Sequence, residues 1–321
     1  MNDLRWIPLI GQFDISDNRI IFRGALASPT LGLSGGSVEV GNLLCNQHFG
    51  GGTLEATITF AVPNEQTACG LMLFYQPATL SFIEAQLGGQ PFVALMTWAN
   101  SQWTAHGAVG VGSQLQPNRP YHLRVAASGS SVALSVDGVN VLSASLPFPL
   151  PRGQAGIWCK GDGQITIEGF RIRAEKPRAF VVMQFTTPFN ELYAEVIRPV
   201  CEKLGFVAQR ADETFGPGLI IADIERQILD SQVVIADITP QNPNVYYEVG
   251  YAHALRKPTI LIAESPTKLP FDVSPFRTLF YENSIAGKSR VEAGLRMHLE
   301  AIAAATGLAR ESPASSILTS A

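Results

Sequence analysis

The chain has 321 residues, of which 46% are hydrophobic, with a mean hydropathy of +0.15, a formal net charge of -4 and an isoelectric point near 5.8. A chain of that length admits two domains with cores of their own. The charge balance excludes the basic footprint of a nucleic-acid or anionic-membrane binder, and no apolar stretch approaches the roughly 20 residues that span a bilayer. The four cysteines, Cys45, Cys69, Cys159 and Cys201, show no CxxC pairing and are expected to be reduced and buried. The residues from Met1 to Pro8 lack the charged-then-apolar pattern of a signal peptide, so a cytoplasmic protein is expected.

In chain order, residues 52–60 come first as a clear element. Leu54, Ala56, Ile58 and Phe60 alternate with threonines and a glutamate, the period of a half-buried strand. Gly70 to Tyr75 is a continuous apolar strand, and residues 121–126 return to alternation. Two strands over residues 131–142 flank Asp137-Gly138, the strongest short hairpin signal. Further strands are predicted at 156–160 and 164–173. Many short strands separated by Gly and Pro, with no convincing helix, predict an antiparallel β-sandwich over residues 1–175. In layout this half resembles the concanavalin-A-like (laminin-G/jelly-roll) sandwiches. Such folds often bind carbohydrate, although a fold does not dictate a ligand. Trp98, Trp103 and His106 are the candidates for a sugar-stacking surface, against the plainer expectation that they are core or rim residues. No acidic cluster resembles a calcium site and no carboxylate pair resembles a glycosidase centre. Binding or assembly is therefore expected of this half.

After Lys176-Pro177-Arg178 the pattern changes. Residues 179–183 read as a buried strand, and 190–204 carry helical spacing through Leu192, Val196, Ile197, Val200 and Leu204. A strand at 206–210, a helix at 219–229 and an apolar strand at 233–237 follow. Asn242 and Pro243 then supply an N-cap and a first helical residue for a helix at 244–255. A strand at 259–263, a strand at 278–281 and a helix at 289–305 close the series. Strict alternation predicts a flavodoxin-like, doubly wound parallel sheet over residues 178–307, followed by a flexible tail, 308–321. The expected fold class is thus two-domain, an all-β antiparallel sandwich followed by an α/β sheet.

Ligands of open α/β sheets sit at the carboxyl ends of the strands. Asp237 ends a strand there, and Glu248 lies within two turns of the helix start, where the dipole favours an ionised carboxylate. A carboxylate facing a cleft suits a developing oxocarbenium ion. Asp237 is a candidate to bind ribose hydroxyls or orient Glu248, or else it caps a loop. Asp212, read as ending the preceding strand, is a similar candidate across the cleft. Gln184 and Phe185 would face the same crevice, and Asn244 stands at the helix start. Gly216 and Gly218 would let backbone amides approach a phosphate. His253, turned about 140° from Glu248 on an ideal helix, is expected to pack.

Three ordered motifs support a family resemblance: Val181 to Phe185 with Pro188 to Tyr193, Arg210 to Gly216 with Gly218 to Ile224, and Val234 to Thr239 through Asn242 to His253. Together they resemble the bacterial Toll/interleukin-receptor-like domains related to nucleoside 2-deoxyribosyltransferases, over roughly residues 178–282. The resemblance implies that Glu248 is the catalytic carboxylate of N-glycosidic cleavage, with NAD+ as substrate and no cofactor or metal. The expected function is an NAD+ glycohydrolase, an antiviral-defence effector that acts as a homo-oligomer. The alternatives are a nucleoside deoxyribosyltransferase or hydrolase, and a non-enzymatic nucleotide-binding module. A carbohydrate or other signal ligand is expected on the sandwich.

Overall fold

A computed structural model describes residues 4–23, 39–110, 114–213 and 220–305. Fourteen strands make two antiparallel sheets of seven. The first runs β1 (Trp6–Ile10), β4 (Val40–Phe49), β13 (Gly153–Lys160), β6 (Ala68–Gln76), β7 (Ser81–Gly88), β8 (Val93–Ala99) and β9 (Gln102–Val109). The second runs β12 (Val139–Ser145), β11 (Ser131–Val136), β10 (Pro120–Ser128), β5 (Gly52–Phe60), β14 (Ile165–Ala174), β3 (Arg19–Phe22) and β2 (Phe13–Ser16). Alternation explains the layering: Leu54, Ala56, Ile58 and Phe60 of β5 are all fully buried against the facing sheet. The β11–β12 turn uses Asp137 and Gly138, with φ of 51° and 82°, as a two-residue hairpin with the strand twist requires. The Asp137 carboxylate also accepts the His122 amide and the Arg119 guanidinium, both at 2.8 Å, which pins that corner.

A third sheet is parallel and has five strands, in the order β16 (Val207–Arg210), β15 (Arg178–Val182), β17 (Val233–Asp237), β18 (Thr259–Glu264) and β19 (Thr278–Tyr281). All of β17 is buried, its side chains dividing between two apolar clusters. The helices are α1 (Phe189–Leu192), α2 (Arg198–Lys203), α3 (Ile220–Asp230), α4 (Pro243–Ala254) and α5 (Ile285–Ala305). The single helix expected over 190–204 is interrupted by a π turn, Tyr193–Ile197. Pro199 explains the break, because it has no amide to donate back into the ladder.

The expected fold class needs correction. Two large antiparallel sheets make the chain mainly a jelly-roll β-sandwich, and its parallel part is one small sheet rather than a flavodoxin-like domain. Strand–helix alternation identifies element types one at a time, but carries no measure of how large a layer they build. The strands of this layer have four to six residues, and the edges β16 and β19 are only partly buried.

The β10–β11 turn rests on the end of α3. The Ser130 amide donates to the Leu229 carbonyl at 2.9 Å and the Ser128 hydroxyl to the Asp230 carbonyl at 3.0 Å. Gly129 has φ +55°, and a Cβ there would lie 2.4 Å from the Leu229 oxygen. Lys257 donates to the carbonyls of Leu229 and Ser231 from the other side, at 2.5 and 2.7 Å. The last carbonyls of α3 are thus capped from both directions.

Candidate functional site

One face of the first sheet packs into the sandwich core. The other face carries a row of aromatic residues. Tyr75 on β6, Phe82 on β7, Trp98 on β8 and Trp103 on β9 stand each directly opposite the next. Cross-strand register makes the row, since directly opposed residues share a face. Trp103 meets Phe82 edge-on at 5.5 Å, Trp98 at 5.2 Å and Trp158 of β13 at 5.6 Å between ring centroids. Three strands separate β9 from β13, a distance of about 19 Å in a flat sheet. The rings meet because the face is concave and Trp103 reaches across it.

The resulting groove has a volume of about 1000 Å³ and includes Tyr75, Phe82, Trp98, Trp103 and Trp158 in its walls. That is the upper end of the size range of ligand pockets. Asn42, Gln86 and Met96 also line it, and among the described residues its charged lining residues, Glu65 and Lys160, carry one charge of each sign. Glu84 lies on β7 between Phe82 and Gln86, two residues from each, and so points to the same face. It is completely buried, and neither carboxylate oxygen has a hydrogen-bond partner among the described residues. The Asn42 side-chain oxygen is unpartnered too. Burial pushes the Glu84 carboxyl well above the usual range. His106 takes no part in these walls. It bonds the Thr97 hydroxyl at 2.7 Å, and burial lowers its pKa.

The residues expected at the strand ends of the parallel sheet are arranged differently. Asp237 is fully buried and accepts hydrogen bonds from the Tyr281 hydroxyl at 2.8 Å and the Thr239 amide at 2.9 Å. Burial nevertheless lifts it to about 7. Asp212 does not end a strand. β16 stops at Arg210, and Asp212 sits in a 3-10 turn (Ala211–Glu213), where the Arg210 guanidinium grips it at 2.7 and 2.6 Å. Gln184 accepts a long bond, 3.5 Å, from the Asn242 amide group, while the exposed Phe185 ring lies 5.0 Å from the Arg210 guanidinium. Asn244 is exposed, and its backbone amide donates to the capping oxygen of Asn242 at 3.0 Å. Gly216 and Gly218 lie outside the described residues. His253 packs, stacked on Phe276 at 4.3 Å.

Glu248 is buried in the second turn of α4 and has no hydrogen bond or ion pair among the described residues. Desolvation lifts it to about 7, against the sign expected from the helix dipole. The dipole acts within the first turn, and Glu248 lies beyond it. None of Gln184, Phe185, Asp212, Asp237, Asn244 and Glu248 lines the groove. Sequence reasoning named Trp98 and Trp103 but missed Tyr75, Phe82, Trp158, Asn42 and Glu84. No local signal marked Glu84, which falls with Gln86 on the polar phase of the alternation of Ile83, Ala85 and Leu87. Among the described residues, no three or more His, Cys, Asp or Glu side chains are grouped to hold a metal ion, and no helix is long and apolar enough to cross a membrane.

No protein-family model matches the chain, and no curated protein matches it. Solved structures similar to it include a carbohydrate-binding module (CBM66) of Bacillus subtilis, 17% identical, covering 51% of this chain and 92% of that one, with a TM-score of 0.42. A Bacillus licheniformis β-glucanase is 14% identical over 54% of this chain and 94% of its own, with a TM-score of 0.39. A Clostridium botulinum CMP N-glycosidase is 16% identical over 38% of this chain and 98% of its own, with a TM-score of 0.31. Likeness at these levels assigns no ligand or activity. The expected Toll/interleukin-receptor-like identity is corrected to a jelly-roll sandwich with a small parallel sheet, since two seven-stranded antiparallel sheets dominate the architecture. The NAD+ glycohydrolase, the antiviral effector and the nucleoside-processing alternatives fall with it.

Proposed function

We propose that the sandwich binds a neutral oligosaccharide in the groove of its first sheet. The observation that carries this reading is the concave row of Tyr75, Phe82, Trp98 and Trp103 closing on Trp158, with amides beside it. Sugar rings present apolar C–H faces that stack on aromatic rings, and their hydroxyls need the donors and acceptors that Asn42 and Gln86 offer. The balanced charge of the walls favours an uncharged ligand over an acidic one. Hydrolysis in the groove would call for two carboxylates flanking the bond, and among the described residues Glu65 is the one carboxylate residue that lines it. Calorimetric titration with β-1,3-glucan, β-1,4-glucan, galactan and fructan oligomers tests the reading. Trp98→Ala and Trp103→Ala are expected to weaken binding by about tenfold each. Equal affinity in both variants would refute it.

A second reading, a hydrolase acting on glycosyl bonds, has its own support in Glu248. A buried carboxyl free of protein partners, with a pKa near 7, has the poise of a general acid. In that reading Gln184, Phe185 and Asn244 are proposed to contact the substrate, together with Gly216 and Gly218. Asp237 is proposed to position the site from below and Asp212 to hold Arg210 at its rim. Release of chromophore from nitrophenyl glycosides, abolished in Glu248→Gln, would support it, and release unaffected by that change would remove Glu248 from the chemistry.

A further inference from the structure

The groove hides a polar site beneath its aromatic roof. Gly70 on β6 is directly opposite Trp158 on β13, and Met72 is directly opposite Glu84 on β7. A Cβ at Gly70 would lie 2.7 Å from a Glu84 carboxylate oxygen, so the carboxyl occupies the slot that the missing side chain leaves. Met96 closes the other side, directly opposite Glu84 on β8. A ring that touches both Phe82 on β7 and Trp158 on β13 spans the β6 segment between them, and Trp103 does so. Trp103 thus lies over the face to which Glu84 belongs, in contact with Phe82 and Trp158, while remaining 40% exposed itself.

A carboxyl group enclosed among Met72, Met96 and Gly70 has nothing to bond, and an orphaned buried polar group typically costs about 1–3 kcal/mol. An apolar side chain of the same size would fill the slot without that cost. Resting on the reading of the groove as a glycan site, we propose that Glu84 is its specificity-determining residue, a concealed carboxylic acid that pairs with a sugar hydroxyl when the Trp103 ring swings off Trp158. A protonated carboxyl offers one donor and one acceptor, and a hydroxyl offers the same pair reversed. Burial keeps the group in that form. A ligand lacking the hydroxyl leaves the acid unpaired, which is how a buried polar group discriminates.

The test compares wild type with Glu84→Gln and Glu84→Met in the same oligosaccharide titrations, alongside thermal unfolding without ligand. Glutamine keeps a donor and an acceptor in the same shape, and is expected to bind within about threefold of wild type. Methionine matches its neighbours Met72 and Met96, so Glu84→Met is expected to unfold at a higher temperature yet to lose about tenfold or more in affinity. Undiminished affinity in Glu84→Met would overturn the proposal while leaving the groove reading intact. Weak binding in Glu84→Gln as well would overturn the donor–acceptor role. A wild type that binds no oligosaccharide of the panel would overturn the groove reading, and the role of Glu84 with it.

Discussion

The groove and the strand ends of the parallel sheet hold polar residues in opposite states. At the strand ends most are already bonded to one another: Asp237 with Tyr281 and Thr239, Asp212 with Arg210, Asn242 with Gln184. At the groove, Glu84 behind the wall and the Asn42 oxygen in it have no protein partner, and Trp103 stands 40% exposed over the buried Tyr75, Phe82 and Trp158. Satisfied polar groups hold a structure, whereas unsatisfied ones point to something still to bind. Glu248 is an exception in the parallel-sheet layer, as is the neighbouring Tyr246 hydroxyl, which is why that region keeps a second reading.

The largest expected effect is on the pH dependence of stability, and it reaches into both regions. Glu84 in the groove, and Asp237 and Glu248 at the strand ends, all have pKa values raised by burial, the last two to about 7. Between their unfolded values near 4 and their folded values, the native state holds protons that the unfolded state has released. The contribution of Asp237 and Glu248 is therefore complete below about pH 4 and is lost as pH rises through about 7, and that of Glu84 is lost in the same direction. For Asp237 and Glu248 this amounts to on the order of 3 kcal/mol each across that window. Denaturant midpoints taken from pH 4.5 to 8 should fall more steeply with rising pH for wild type than for Glu84→Gln or Glu248→Gln. A slope that neither substitution flattens would mean that these carboxyls are solvated, and the contrast between the regions would collapse.

The next effect probes the satisfied region directly. Tyr281→Phe removes the hydroxyl that donates to Asp237 at 2.8 Å. It should destabilise by about 1–3 kcal/mol, since a buried acceptor loses its partner. Oligosaccharide binding in the groove should not change. A Tyr281→Phe protein as stable as wild type would show that the Asp237 network is open to solvent, and would put it back among the candidates for a ligand.

How much of this was legible in the residues depends on whether the signal was local. The alternation of 52–60, the Asp137-Gly138 turn and the Asn242-Pro243 helix start each carry their instruction within a few residues, and each forms in the structure. The state of Asp237 is not local: it depends on Tyr281, 44 residues away, which burial brings into contact. The groove is less local still. Trp103 and Trp158 lie at opposite sides of a curved sheet, and no pattern along the chain measures curvature. Glu84 reads along the chain as an ordinary outward residue between Ile83 and Ala85, and its burial depends on the slot that Gly70 leaves. The overall class failed for a related reason, because alternation names elements without weighing layers.

The smallest predicted effect uses that local signal to sharpen the comparison. Asn242 caps α4, its side-chain oxygen accepting the Asn244 amide at 3.0 Å, with Pro243 at the first helical position. Asn242→Ala leaves that amide unpaired and should cost about 1 kcal/mol, the usual value of an N-cap. It also removes the long bond to Gln184 and loosens the turn that carries Glu248, six residues on from the cap. If the strand ends perform chemistry on a glycosyl bond, turnover should drop further than stability does, because Glu248 would lose its fixed position. If the groove alone is the functional site, oligosaccharide affinity should match wild type, and the substitution should register in the denaturation midpoint and nowhere else.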